Sequence, residues 1–199
     1  MTNARELANL VGGTLTNLTS GTDNVALGDE ALEAVTSGAN NVGIGEDAGT
    51  AITTGDRNTA VGKDALKTAT TASYNTAIGY QALDANTGNN NTAVGDQALE
   101  ANIGGTNNTA MGDDALVANT TGDGNTAIGA SALDANTTAD NNTAIGISAL
   151  GNNTTGAGNT AVGQRALTAN TTAASNVAVG KDALFANAIG TNNTALGLS

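Results

Sequence analysis

The chain has 199 residues, enough for one domain, but it lacks histidine, cysteine, proline and tryptophan and has only three aromatic side chains, Tyr74, Tyr80 and Phe185. Without cysteine there is neither a disulfide framework nor a thiolate metal site. The net charge of −12 argues against nucleic acid and against anionic lipid headgroups, both of which need a basic footprint.

Residues 1–23 come first and differ from the rest. "NARE" predicts a capping box, with Asn3 as N-cap and Glu6 reaching back. Leu7, Leu10 and Val11 form the apolar stripe of a short helix that Gly12 and Gly13 end. This segment is expected either to cap the first coil or to attach the protein to a partner. No charged n-region with an apolar h-region is visible, and no apolar run approaches the roughly 20 residues of a membrane span, so neither a secretory signal nor membrane insertion is expected.

From Asn24 to the end the chain repeats. The pentapeptide N-[TV]-[AG]-[VILM]-G begins at Asn24, Asn41, Asn58, Asn75, Asn91, Asn108, Asn125, Asn142, Asn159, Asn176 and Asn193. Every interval is seventeen residues except Asn75 to Asn91, which is sixteen because the turn "ANTGNN" is one residue shorter. Loss of a residue from a turn rather than from a strand is what surface loops tolerate. Two packed helices need about 34 to 47 residues per repeat, so this unit is too short for a helical solenoid.

The unit predicts its own elements. "NTAIG" reads as a short strand, with residues two and four on one face and residue three on the other. Exchange of Thr for Val at position two fits a β-branched strand site. "ALDA" reads as a second strand with Leu83 and Ala85 on one face, a short helix over "YQALDAN" being the competing reading. Asn, Thr and Gly supply the turns. The expected fold is therefore all-β, a β-solenoid or β-roll of about eleven 17-residue coils over residues 24–199.

Stacked coils place like residues over one another at about 4.8 Å. Asn58, Asn75, Asn91, Asn108 and Asn125 are then expected to form a hydrogen-bonded ladder. Val61, Ile78, Val94 and Ile128, with Leu66, Leu83 and Leu99, are expected to fill the roll. The position-five glycines answer either to a positive φ or to close backbone approach. Two large apolar residues per coil are a small return against the ordering of seventeen, so a core shared between chains is expected. The small-residue column Ala60, Ala77, Ala93, Ala110 and Ala127 is assigned to the interface of a homotrimer.

The anchor "NTAIG..AL.A" resembles the repeat of trimeric autotransporter adhesin head domains, and "NTAVG" followed by "ALxANTTG" is similar to repeats in tail-fibre and appendage proteins of tailed phages. The first family implies a trimeric left-handed parallel β-roll. It also implies that Thr59 and Val61, or Thr76 and Ile78, fill each chain's own roll while Ala60 and Ala77 face the trimer axis. The absence of a signal and of a C-terminal anchor suits the phage family, made in the host cytoplasm and carried on the virion. The expected function is a structural fibre, shaft or head, that contributes to host-surface attachment. Its partners would be other virion proteins at either end and a host-surface receptor. A bacterial surface adhesin head is the alternative, and an ice- or calcium-binding monomeric solenoid is a further one.

Chemistry is expected to be absent. The carboxylates Asp29, Glu30, Glu46, Asp47, Asp113 and Asp114 occupy variable outward positions and read as solubilising charge, not as catalytic groups, and no cofactor is implied. The glycine-rich nonapeptide of calcium β-rolls is missing, so no functional metal is expected. The N-x-T triplets at Asn119, Asn136 and Asn170 read as turn chemistry. A threonine column could present a flat ice-binding array, but with position two read as inward that array is buried.

Overall fold

The computed structural model describes residues 21–198, so the expected N-terminal helix lies outside the described residues. Within them there is no helix. Eleven three-residue strands form one parallel sheet: β1 (Val25–Leu27), β2 (Val42–Ile44), β3 (Thr59–Val61), β4 (Thr76–Ile78), β5 (Thr92–Val94), β6 (Thr109–Met111), β7 (Thr126–Ile128), β8 (Thr143–Ile145), β9 (Thr160–Val162), β10 (Val177–Val179) and β11 (Thr194–Leu196). Each pairs only with its sequence neighbours, in chain order. The chain is a β-solenoid of about ten turns.

The pairing register follows the repeat. Thr59 faces Thr76, Ala60 faces Ala77 and Val61 faces Ile78. The sixteen-residue unit keeps that register, Thr76 facing Thr92 and Ala77 facing Ala93, so the shortened turn absorbs the whole deletion.

The second expected strand is instead a run of tight turns. Leu83 has a φ of +55° and Gln81 a φ of +53°. The amides of Asp84 and Asn86 close turns on the carbonyls of Gln81 and Leu83, at 3.2 and 3.1 Å. Between them, the amides of Leu83 and Ala85 reach the next coil at Ala98 and Glu100, at 3.0 and 2.9 Å. Alternate amides thus serve turn and stack, and backbone donors along this wall are paired without a strand. A bulky residue at positive φ is an outlier, costing roughly 1–2 kcal/mol. Complete burial of the leucine side chain, worth about 1.5–3 kcal/mol, offsets that cost.

The faces of the strand are the reverse of those expected. Ala60, Ala77, Ala93, Ala110 and Ala127 are fully buried inside their own coil, not on an outer interface. Ile78 and Ile128 are 40% and 37% exposed, and Val61 and Val94 are only half-buried, so none of the four fills the roll. Leu66, Leu83 and Leu99 do lie fully inside. The reason is interior width. The leucine of the turn wall crosses the coil and meets the sheet, leaving room for a methyl group. At Gly43, where the third position has lost its alanine, Leu32 takes up even that room: an added Cβ would sit 2.7 Å from Leu32 Cγ. A valine or isoleucine there would overpack the coil.

The second coil carries a compensation. Its turn leucine is replaced by Gly49, and Ile52 fills the interior in its place: a Cβ at Gly49 would meet Ile52 Cδ1 at 2.9 Å and Leu32 Cδ2 at 2.8 Å. Ile52 is fully buried.

Candidate functional site

The asparagine column is built of two kinds of bond. The side-chain oxygen of Asn41 accepts from the backbone amide of Asn58 at 2.9 Å, and that of Asn58 from the amide of Asn75 at 3.0 Å. The same contact runs on from Asn75 to Asn91, Asn91 to Asn108 and Asn108 to Asn125. Most of the Nδ2 groups turn the other way and donate to a carbonyl of the same coil's last corner, Asn58 to Ala72 and Asn91 to Gly105, both at 2.8 Å, whereas the buried Nδ2 of Asn142 has no partner. A typical asparagine such as Asn58 or Asn91 therefore ties its coil to the next through oxygen and closes its own coil through nitrogen. Direct amide–amide contact is secondary in this column, as in Asn58 to Asn41 at 3.1 Å.

A second ladder stands where turn residues were expected. Asn86, Asn102, Asn119, Asn136, Asn153 and Asn170 are fully buried. Here the amides do join directly: Asn102 donates to Asn86 at 2.6 Å, Asn119 to Asn102 at 2.7 Å and Asn136 to Asn119 at 2.9 Å. The corner carbonyl of Gly105 accepts from Asn102 as well as from Asn91, using both lone pairs. In the first three coils this column is apolar, with Val35, Ile52 and Ala69 buried instead. The signal was recurrence of Asn at the twelfth position of the unit, which its N-x-T context disguised as a turn.

On the turn wall and corners, Arg57, Lys63, Lys67 and Arg165 each engage a side chain of an adjacent coil. Lys67 bridges Asp47 and Asp64 at 2.8 and 2.7 Å, and Lys63 meets Glu46 at 2.7 Å. The Lys67 bond holds the Asp47 carboxyl below its usual range, and the two aspartates hold Lys67 above its own. Arg165 donates to Asp182 at 2.7 Å and lies over the Phe185 ring, while Arg57 stacks on Tyr74. Asp84, Glu100 and Asp134 follow one column of the wall, and desolvation is the main cause raising each of their pKa values. Among the described residues no group of three or more metal-ligating side chains is placed to hold an ion, and no helix is long and apolar enough to cross a membrane. An apolar hollow of about 570 Å³ lies beside β11, lined by Leu184, Phe185, Leu196 and Leu198.

The remaining feature is the outer face of the sheet. Thr59, Thr76, Thr92, Thr109, Thr126, Thr143 and Thr160 form one half-buried column pointing outward. Beside it runs the column of Leu27, Ile44, Val61, Ile78, Val94, Met111, Ile128, Ile145, Val162, Val179 and Leu196. The expectation that the threonine array is buried is therefore corrected, because inner and outer faces exchange as a set when a strand turns over. None of the 24 charged residues falls within any of the eleven pentapeptides.

Comparison with protein-family models, with curated proteins and with solved structures returned no match.

Proposed function

We propose that the protein is a structural fibre component, a β-solenoid shaft or head of a phage tail fibre or appendage that assembles as a homotrimer and contributes to attachment at the host surface. The observation that carries this reading is the unbroken stack: ten successive coils joined in one register by the sheet and by buried asparagine ladders. Such a stack transmits load along its axis, and its bonding is spent on its own geometry rather than on a pocket. The likeness of the repeat to adhesin heads and phage appendages supports the same reading. Immunogold labelling of purified particles with antibody to the repeat region tests it. Labelled appendages are expected, and particles lacking the protein would overturn the reading.

The outward threonine column favours a second reading, an ice-binding solenoid. Thermal hysteresis in dilute solution is its test, and a freezing curve identical to that of buffer would dismiss it.

A further inference from the structure

We infer that the outer sheet face, from the β1 pentapeptide to the β11 pentapeptide, is the surface through which copies of this chain pack against one another side by side; this rests on the fibre reading and names its interface. Three properties of the face point to a second copy.

The first is charge. A molecule of net charge −12 repels its own copies wherever its charged walls meet; charge is missing along the whole stack from the sheet face and from the corner at positions eleven to fifteen, and of these two strips the sheet face is the one with a continuous column of large apolar side chains. The second is extent. Eleven strands and the five residues of each pentapeptide span about 50 Å by about 15 Å, an area of about 750 Å². That is close to the roughly 800 Å² each partner brings to a stable interface of standard size. The third is period. A partner that covers this face must present side chains repeating every ~4.8 Å over ten steps. The chain itself has that repeat, held constant even through the shortened unit.

Ile78, Met111, Ile128 and Ile145, each 37–42% exposed in the single chain, would supply the apolar contact. The threonine methyls lie alongside. The alanine column takes no part, since it is already enclosed in its own coil.

Two measurements test this. The wild-type chain of 19.2 kDa is expected to run in analytical ultracentrifugation at a multiple of that mass. The triple variant Ile78→Lys, Ile128→Lys, Ile145→Lys is expected to fall to a monomer with an unchanged β-type circular dichroism spectrum, while Asp113→Lys on the charged wall keeps the wild-type mass. Because the triple variant places three charges on one sheet, a milder probe accompanies it. The chain has no cysteine, so Thr126→Cys is expected to cross-link between chains on oxidation and Asp113→Cys is not. A wild-type monomer at all concentrations, with or without thermal hysteresis, would overturn the inference, as would equal cross-linking at the two positions. The fibre reading fails separately, if X-ray scattering shows a compact particle in place of an extended one.

Discussion

Side-chain size decides most at the level of single residues. The leucine of the turn wall is both the largest fully buried residue of its coil and a residue at positive φ, as at Leu116, with a φ of +54°. Truncation leaves a hole that rigid neighbouring coils cannot close. We expect Leu116→Ala to cost about 2–5 kcal/mol. In urea this appears as a lower unfolding midpoint, and a midpoint within error of wild type would refute the packing assigned to Leu116. Position five has the opposite requirement. Gly95 has a φ of +144°, and an added Cβ would lie 2.3 Å from the Gly112 carbonyl oxygen. Gly95→Ala must therefore push two coils apart as well as strain its own backbone. Hydrogen exchange should show lost protection in the coils on either side of the substitution, while distant coils stay protected.

At the scale of elements, the sheet and the turn wall answer differently to pH. Asp84, Glu100 and Asp134 have folded-state pKa values raised chiefly by burial against the wall. The folded chain therefore binds these protons more tightly than the unfolded chain. Their ionisation at neutral pH opposes folding, and stability rises as pH falls through the folded values toward the unfolded ones. Asp47 and Asp182 run the other way. Their values are lowered by bonds from Lys67 and Arg165, so their contribution is present above the unfolded value and is lost as pH falls through the folded one. We expect the melting temperature to climb on mild acidification and then to fall at lower pH. Asp84 also has a buried side-chain oxygen, Oδ1, without a hydrogen-bond partner. Asp84→Asn should accordingly raise the neutral-pH melting temperature and flatten the climb; a lower melting temperature for this variant would count against the assignment.

For the whole molecule, each coil touches only its two neighbours, so stability is a sum of nearest-neighbour interfaces. Excision of residues 125–141 joins Gly124 to Asn142 and preserves the repeat. That variant should fold with an unchanged β spectrum and a long axis shorter by about 4.8 Å in X-ray scattering. An unfolded product would show that the coils are not equivalent units.

The repeat period, the in-register parallel stack and the necessity of glycine at position five could all be read from the residues, because stacking puts like over like and makes each column a single environment. The Asn58 column was legible for the same reason. The buried Asn119 column was not, since an asparagine beside threonines in a loop has the same local pattern whether it faces water or a ladder. Nor could the wall of turns be read, because leucine at positive φ is too rare to be expected from its sequence. Most of all, alternation along Thr76–Ala77–Ile78 defines two faces of a strand but not which of them is inside. The tertiary structure decided that: once Leu83 crosses the coil from the opposite wall, only a methyl fits beneath the sheet. Alanine therefore turns in, and threonine and isoleucine turn out.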